Sequence, residues 1–430
     1  MKNDKLTYFL KLSPFLILYL TFVLVAHRDE FVGDEARYIQ YTNNLLNGFY
    51  SPTGEAYLWN GPGYPIFLMP FIYFNLPMQS ITIANAIMHF ASVVLLYCTL
   101  TNLIKEKIAF FISIFWGGYF IAFQEMPFIL TESLTIFLGA LFLFLTQIYF
   151  LHLRKGYLYL SGVVLGYLIL TKIIFGYVII VLAFLYLIVF MLNFIFKFNT
   201  IQRPIKELKI LIIAQIVCLP YLIYTYQITS KPLYYGNSGG MNLYWMSTPF
   251  EDEYGDWIND DFFKDKSLLS GNLYKNHATE INQVKQNNWI VQDSLYKHIG
   301  LTNIKNNPLK YAKNIIYNVG RLWFNFPLTA YPHSGNGVFR LFLNSILLTF
   351  FLISLVYWAL NFQKLNPHLN FISLMLLTYL GLSSLVSALP RQLSVAVPWI
   401  IFFCSIILIE LHLKPIIASS NNPHNSNNER

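Results

Sequence analysis

Four charged residues lie at the ends of long apolar runs, where a charge is costly unless it has a use. They are Asp34, Glu132, Lys172 and Arg391. Ionisable groups at such positions are candidate functional residues by default. A carboxylate among them could act as a general base, and the two cations could hold an anionic group such as a phosphate. One polar cavity shared by all four would make this chemistry feasible.

The same charges also have a purely structural explanation. Asp34 stands before a short amphipathic segment with Tyr38 and Tyr41 on its apolar side, and Asp is a preferred N-cap residue. The other three could be separate interfacial residues. Position alone does not choose between one cavity and four unrelated charges.

Composition excludes an ordinary soluble domain. Of the 430 residues, 56% are hydrophobic and only 12% are charged, whereas a soluble domain has about 25% charged residues. The net charge of +8 comes from basic clusters between apolar runs. That placement follows the positive-inside rule rather than a nucleic-acid-binding pattern. Cys98, Cys218 and Cys404 lie in apolar runs without metal-ligand or disulfide spacing, so we interpret them as core residues.

Ten apolar runs predict the architecture. A bilayer core of roughly 30 Å needs about 20 apolar residues to be crossed as a helix. The segment 63–77 is short and broken by Pro65 and Pro70, so we place it at the interface. The sequence therefore predicts an all-α, polytopic membrane protein with about ten transmembrane helices. The runs are 12–27, 80–104, 108–124, 133–151, 157–171, 174–196, 208–229, 338–361, 371–389 and 395–413.

Basic residues set the expected orientation. With ten crossings and a cytoplasmic N-terminus, clusters such as Lys105/Lys107 and Arg154/Lys155 lie in the cytoplasm. Counting 63–77 as a crossing would place them outside. No small-x-small cleavage site follows the first run, so we predict an uncleaved first helix. We expect the plasma (inner) membrane, with both termini cytoplasmic and the four charges on the extracytoplasmic side.

The pattern divides the chain into four parts. Residues 1–229 form a transmembrane module with its first outer loop at 28–79, and residues 230–335 form a large extracytoplasmic loop. Residues 336–413 hold the last transmembrane helices. Residues 414–430 form a polar tail predicted to be disordered.

Both outer loops are predicted to contain an amphipathic helix at the membrane surface. The helix after Asp34 has Leu45 and Leu46 on its apolar side and is closed by Gly48. The late loop begins with a loop-like stretch, and its end predicts a helix capped by Asn307 with Pro308 in its first position. The apolar stripe of that helix is Ala312, Ile315, Ile316, Val319, Leu322 and Trp323, opposite Lys310, Lys313, Asn318 and Arg321.

Three weaker candidates have more ordinary interpretations. The acidic run Glu251, Asp252, Glu253, Asp256, Asp260 and Asp261 could bind a cation, but a solvated loop is the better explanation. His333 could be a metal ligand or contact a phosphate, but without a spacing partner a simple loop residue is the better explanation. His89 lies among apolar neighbours and is predicted to be a satisfied core histidine.

Four motifs in order resemble the type C, polyprenyl-phosphate-sugar-dependent glycosyltransferases, specifically the protein O-mannosyltransferase and lipid A aminoarabinose transferase group. "GDEARYIQYTNNLLNGFY" is similar to that group's first outer loop, with Asp34, Glu35 and Tyr38 at the matching positions. "FILTESLTIF" matches its second acidic element at Glu132. "LSGVVLGYLILTKIIFG" resembles its glycine-rich helix ending at Lys172, and "LPRQLSVAVPW" its late element at Arg391.

The resemblance implies a mannosyltransferase-like membrane glycosyltransferase. A single sugar would move, with inversion, from a polyprenyl phosphate to an acceptor hydroxyl on a glycan, lipid or protein. It implies catalytic roles for Asp34 and Glu132, with Glu35 and Tyr38 in support. Lys172, Arg391 and also Arg37 would hold the donor phosphate. No cofactor is certain, and a divalent metal ion held by Asp34 and Glu132 is an open alternative.

The sequence also departs from that group. Gln392 stands where an aromatic residue is usual, and "YWMSTPFEDEYGDW" does not match the Trp-Trp-Asp signature of oligosaccharyltransferases. We expect no soluble domain after the last run, so the acceptor site of longer members is not carried over. Two other functions stay open: a transporter or lipid flippase, whose charges would line a substrate path, and an O-antigen ligase or polymerase, which shares a large late outer loop.

Overall fold

All regular secondary structure in the described part of the chain is helical. The computed structural model describes residues 2–28, 30–52, 54–196, 204–259, 271–329 and 337–420. The helices are α1 Lys2–Val25, α2 Glu35–Leu46, α3 Gly63–Tyr73, α4 Gln79–Thr101, α5 Glu106–Gly117, α6 Phe120–Phe123, α7 Glu132–His152, α8 Lys155–Thr171, α9 Ile174–Phe196, α10 Ile205–Thr229, α11 Gly239–Met246, α12 Asn272–Lys285, α13 Trp289–Asn306, α14 Pro308–Phe324, α15 Gly337–Asn361, α16 Pro367–Leu385 and α17 Pro390–Ser420.

Seven helices in these ranges are long and apolar enough to cross a membrane, namely α4, α7, α9, α10, α15, α16 and α17. The chain is therefore a multi-pass, all-α membrane protein, as predicted. Shorter apolar helices are Leu10–Val25 within α1, α3, which the sequence predicts to be interfacial, and α8. An 11-residue helix such as α3 is roughly 17 Å long, about half a bilayer core. That the chain crosses the membrane ten times stays a prediction.

The predicted run 108–124 is interrupted. Helix α5 ends at Gly117, and only the short α6 follows. The hydroxyl of Tyr19 donates a hydrogen bond of 2.6 Å to the Gly117 carbonyl. A helix end inside an apolar bundle needs such a partner for its free carbonyls. The glycine pair Gly117–Gly118 weakens the helix at the same point.

Helix α7 is central to the part of the fold that matters for function. It packs against α4, α8 and α17, and most of its residues are buried. The start of α7, the end of α8 and the start of α17 lie at the same end of the bundle, because their terminal charges contact one another. Helix α2 of the first outer loop adjoins this end through Asp34.

The late outer loop has a small hydrophobic core of its own, and its first part contains a helix. Helix α11 lies within the stretch predicted to be irregular, so that prediction is wrong for Gly239–Met246. Tyr244 and Trp245 of α11 are buried, and they pack with residues of α12 and α13. Burial of these large aromatic side chains outweighs the poor helix propensity of the two glycines at the start of α11.

Helix α14 begins at Pro308 as predicted, but its polar face is buried and part of its apolar face is exposed. Its polar residues Lys310, Asn318 and Arg321 are buried against the protein, whereas Ile316 is 70% exposed. Of the predicted apolar stripe, Ala312, Ile316 and Val319 are exposed, whereas Leu322 and Trp323 are buried in the protein, so the stripe is wrong for this last turn. Exposed apolar residues beside a membrane bundle are typical of a helix that contacts lipid at the interface. Burial lowers the pKa of Arg321 to about 10.

Three further predictions can be compared with the structure. Residues 414–420, predicted to be part of a disordered tail, continue α17, and residues 421–430 lie outside the described residues. His89 is buried as predicted, but neither ring nitrogen has a hydrogen-bond partner, so calling it satisfied was wrong. It packs between the rings of Tyr19 and Trp116 instead. Cys98, Cys218 and Cys404 are free thiols.

Candidate active site

The structure brings the four predicted charges into one continuous chain of ion pairs. Lys172 Nζ lies 3.0 Å from Glu132 Oε1, and the same oxygen is 3.7 Å from Arg391 Nε. Arg391 Nη2 in turn donates to Asp34 Oδ2 at 2.7 Å. The other oxygen of Asp34 accepts a hydrogen bond from Arg37. Five residues that are far apart in the sequence therefore contact one another in succession, and we call them the charge chain. In spatial order they are Lys172, Glu132, Arg391, Asp34 and Arg37.

The two carboxylates of the charge chain differ in how far a substrate could reach them. The side chain of Glu132 is 3% exposed, whereas that of Asp34 is 25% exposed. Glu132 is the first residue of α7, where the positive end of the helix dipole also favours a carboxylate. Glu132 is thus placed to hold Lys172 and Arg391, and Asp34 is the carboxylate open to a reacting group.

Asp34 does not act as the helix cap that its position suggests. It occupies the N-cap position of α2, but its side chain makes no capping hydrogen bond. Both oxygens contact arginines instead. Burial alone would raise the pKa of Asp34, but the charges of Arg391 and Arg37 outweigh burial and hold that pKa below its ordinary value of 3.8. Asp34 is therefore ionised and neutralised by its neighbours at neutral pH.

Lys172 is positioned by the backbone of the first outer loop. It follows the last residue of α8 in an extended conformation. Gly61 and Gly63 pack directly on the end of α8: a Cβ atom on Gly63 would lie 2.5 Å from the backbone nitrogen of Thr171. Only glycine permits two backbones to approach so closely. The Tyr167 hydroxyl reinforces the contact through a 2.9 Å hydrogen bond to the Gly63 carbonyl.

Arg391 is positioned by Asn318 of helix α14. The amide nitrogen of Asn318 donates to the carbonyls of Ser383, Ser384 and Val386, where α16 ends. Its amide oxygen accepts from the backbone of Ala388 at 3.0 Å. The fully buried Asn318 side chain thus fixes the connection that leads into α17 and Arg391. The sequence placed Asn318 on a polar helix face, but gave no sign of this role.

Glu35 and Tyr38 support the site from outside the charge chain. Glu35 is buried and accepts hydrogen bonds from the backbone nitrogens of Val32 at 2.6 Å and Ile129 at 2.7 Å. It thereby ties the first outer loop to the segment before α7, and it faces a separate cavity of about 280 Å³. The Tyr38 hydroxyl accepts from the Asn60 amide at 3.1 Å.

The charge chain is a poor fit for a divalent metal ion. Carboxylates are suitable ligands, but three cations surround Asp34 and Glu132 and already contact their oxygens. No group of three His, Cys, Asp or Glu side chains in the described residues could hold a metal ion. We therefore derive no step through a metal at this site.

The acidic run of the late loop does not form one cluster. Glu251 and Asp252 are exposed, but Glu253 and Asp256 are buried, so the solvated-loop interpretation is wrong for the latter pair. Glu253 Oε2 lies 2.8 Å from His277 Nε2, and Asp256 accepts from the backbone of Thr329. The other members, Asp260 and Asp261, lie outside the described residues, as does His333.

The structure adds one carboxyl group that the sequence did not single out as a site residue. Glu125 is half-buried in the connection between α6 and α7. Burial, together with the nearby charge of Glu132, raises its pKa. Its position on the same connection as Glu132 is visible in the sequence, but the proximity of the two carboxyls is not.

Comparison with known proteins gives no family assignment. No family model matches the chain, and no curated protein matches it. Among solved structures, the Archaeoglobus fulgidus oligosaccharyltransferase tethered with an acceptor peptide is 13% identical, with a TM-score of 0.49 over 97% of this chain and 52% of that chain. The apo form of this oligosaccharyltransferase is 13% identical, with a TM-score of 0.49 over 99% of this chain and 53% of that chain. A third structure is the archaeal oligosaccharyltransferase AglB from Archaeoglobus fulgidus in complex with an inhibitory peptide and a dolichol-phosphate. It is 13% identical, with a TM-score of 0.46 over 97% of this chain and 52% of that chain. The chain spans about half the length of these structures, and the values are too low to establish a shared fold or function.

Proposed function

We propose that this chain is a membrane glycosyltransferase that moves one sugar from a polyprenyl-phosphate donor to an acceptor hydroxyl on the extracytoplasmic side, with inversion. The observation that carries the proposal is the charge chain, in which Lys172 and Arg391 flank buried Glu132 next to the more open Asp34. The order of the four motifs in the sequence supports the type C glycosyltransferase class, and a mannosyltransferase-like donor belongs to the same proposal.

Lys172 and Arg391 would hold the donor phosphate. In the structure their charges are directed at the two carboxylates, so an arriving phosphate would compete with Asp34 for Arg391. Charge-assisted hydrogen bonds from two cations stabilise the negative charge that grows on the leaving phosphate. Its second pKa near 6 means that it needs little help from an acid. We assign Arg37 to the orientation of Asp34 rather than to the phosphate.

Asp34 would act as the general base. The acceptor hydroxyl gives its proton to Asp34 Oδ2 and forms the new bond to the anomeric carbon. The bond from that carbon to the phosphate oxygen breaks, and its electron pair stays with the phosphate. A single displacement of this kind inverts the anomeric centre. Glu132 is too buried to reach the acceptor, so it keeps Lys172 and Arg391 in place.

The placement of the charges favours an enzyme over a transporter. Glu132 opens α7, Lys172 follows α8, and Arg391 is the second residue of α17. All three thus lie at helix termini, whereas substrate sites of transporters lie near the bilayer midplane.

Transfer assays on membrane fractions test the proposal. Radiolabelled polyprenyl-phosphate sugars are supplied, and release of label from the lipid is followed for the wild type, Asp34→Asn and the exposed control Asp252→Asn. We expect Asp34→Asn to lose transfer by at least about a hundredfold, the usual size of a general-base contribution, while Asp252→Asn behaves as wild type. Near-normal turnover by Asp34→Asn would show that the role assigned to Asp34 is wrong.

A further inference from the structure

Four half-buried aromatic residues continue the charge chain beyond Arg37. Arg37 Nη1 donates to the Tyr57 hydroxyl at 3.2 Å, and the Arg37 guanidinium lies 5.7 Å from the centre of the Trp59 ring. Trp289 of α13 and Trp257 of the late loop complete the group. We call Tyr57, Trp59, Trp257 and Trp289 the aromatic wall.

The wall is formed jointly by the two outer loops. The ring centres of Tyr57 and Trp289 are 4.5 Å apart, and those of Trp59 and Trp257 are 5.7 Å apart. All four side chains keep part of their surface exposed. Large aromatic residues that stay partly exposed beside a polar site commonly contact a ligand.

From this arrangement we infer that the aromatic wall is the acceptor subsite and that the acceptor is a carbohydrate, an inference that rests on the proposed function. In an inverting displacement the acceptor attacks from the face opposite the leaving group. The charge chain places the phosphate cations on one side of Asp34 and Arg37 with the wall on the other. An acceptor whose hydroxyl reaches Asp34 must therefore extend over Arg37 toward the wall.

The chemistry of the wall fits a sugar ring. The C–H bonds on one face of a pyranose pack against the electron-rich face of an aromatic ring. The hydroxyls at the sugar edge need polar partners, and Arg37, which contacts Tyr57 and Trp59 of the wall, has a donor without a partner at Nε.

Saturation-transfer NMR on the purified full-length protein in detergent tests this inference. The probes are maltose, cellobiose, mannobiose and chitobiose, with a blocked Ala-Thr-Ala peptide as the alternative. We expect at least one disaccharide to receive saturation at its ring C–H protons. Trp289→Ala should weaken that binding by about tenfold, as expected for loss of one aromatic stacking partner. Trp289→Phe keeps a ring and should bind nearly as well as wild type.

Two controls keep the test decisive. Trp358→Ala removes a half-buried tryptophan far from the wall, on α15, and should bind as wild type. Trp257→Ala gives a second wall variant if Trp289→Ala unfolds, which thermal unfolding reports. Binding of the peptide but no disaccharide, or disaccharide binding that neither wall variant changes, would overturn the inference.

The same experiment separates this inference from the proposed function. Transfer by Asp34→Asn reports on the general base, whereas disaccharide binding by the wall variants reports on the acceptor subsite. If the wall variants bind normally while transfer still requires Asp34, then only the acceptor subsite is wrong. If Asp34→Asn transfers normally, the proposed function itself is wrong, whatever the disaccharide result.

Discussion

At the scale of single residues, the main finding is that both oxygens of the candidate base Asp34 contact arginines. The pKa of Asp34 is raised by burial and lowered more strongly by Arg391 and Arg37, so it lies below the ordinary value. A base with so low a pKa is a weak one. In the proposed mechanism, the donor phosphate must therefore draw Arg391 away before Asp34 can accept a proton.

This requirement predicts two different acid limits. In the free enzyme Asp34 stays ionised down to its lowered pKa, so kcat/KM should fall only below about pH 4. In the donor complex the phosphate occupies Arg391 and adds negative charge, which raises the pKa of Asp34. The acid limb of kcat should therefore lie at higher pH than that of kcat/KM. Rate measurements across the acidic range check this, and coinciding limbs would contradict it.

The ion pair between Lys172 and the buried Glu132 should matter for stability as well. Lys172→Met leaves the carboxylate of Glu132 buried with one fewer partner, at a cost of about 3 kcal/mol. Adding Glu132→Gln should recover most of that loss, because the two residues interact directly. The exposed pair Lys313–Glu251, with side chains 56% and 73% exposed, is the control, and Lys313→Met should change stability by less than about 1 kcal/mol. Denaturation of the purified proteins measures the free energy of unfolding of each variant. Equal losses for Lys172→Met and Lys313→Met would show that Lys172 does not stabilise the buried carboxylate of Glu132.

At the scale of helices, close contacts between neighbouring elements position Lys172 and Arg391. Gly61 and Gly63 dock the first outer loop on the end of α8 at Lys172, and Asn318 holds the entry of α17 at Arg391. Neither contact includes a member of the charge chain. Changes at these positions should therefore reduce activity by shifting Lys172 or Arg391.

Gly63→Ala is the sharpest test at this scale. Its added methyl group would meet the backbone of Leu170 and Thr171, which cannot move aside cheaply. We expect the loop to separate from α8 and donor turnover to fall by at least about tenfold, since a 1 Å displacement near the chemistry can cost a hundredfold. Gly156→Ala, in the first turn of the same helix with nothing within 4 Å, is the matched control. Wild-type turnover in both variants would show that the docking contact does not position Lys172.

Much of the element layout and part of the candidate site could be predicted from the sequence. Apolar runs located the membrane helices, and the charges at their ends identified Asp34, Glu132, Lys172 and Arg391, because a charge at that depth needs a partner. Asn318 and Trp289 could not be found in this way. Their roles depend on contacts with the α16–α17 connection and with Tyr57, and nothing local in the sequence records which distant segment a polar or aromatic face will meet.

At the scale of the whole molecule, the account places the charge chain and the aromatic wall on the extracytoplasmic side. The expected orientation puts Asp252 of the late loop outside and Lys155, the first residue of α8, inside. In intact cells, Asp252→Cys should react with a membrane-impermeant thiol reagent and Lys155→Cys should not. Cys98, Cys218 and Cys404 give the background, which the wild type measures. Labelling of Lys155→Cys instead would reverse the proposed topology.

The central claim is that Lys172 and Arg391 hold the phosphate of a polyprenyl carrier, and equilibrium binding of a radiolabelled short-chain polyprenyl phosphate to the purified protein tests it most directly. We predict that Lys172→Met and Arg391→Gln bind at least about tenfold more weakly than wild type, as expected when one charge-assisted contact is lost. Asp34→Asn should bind at least as tightly, because it releases Arg391, and the exposed-lysine control Lys275→Met should match wild type. Unchanged binding in both Lys172→Met and Arg391→Gln would contradict the account.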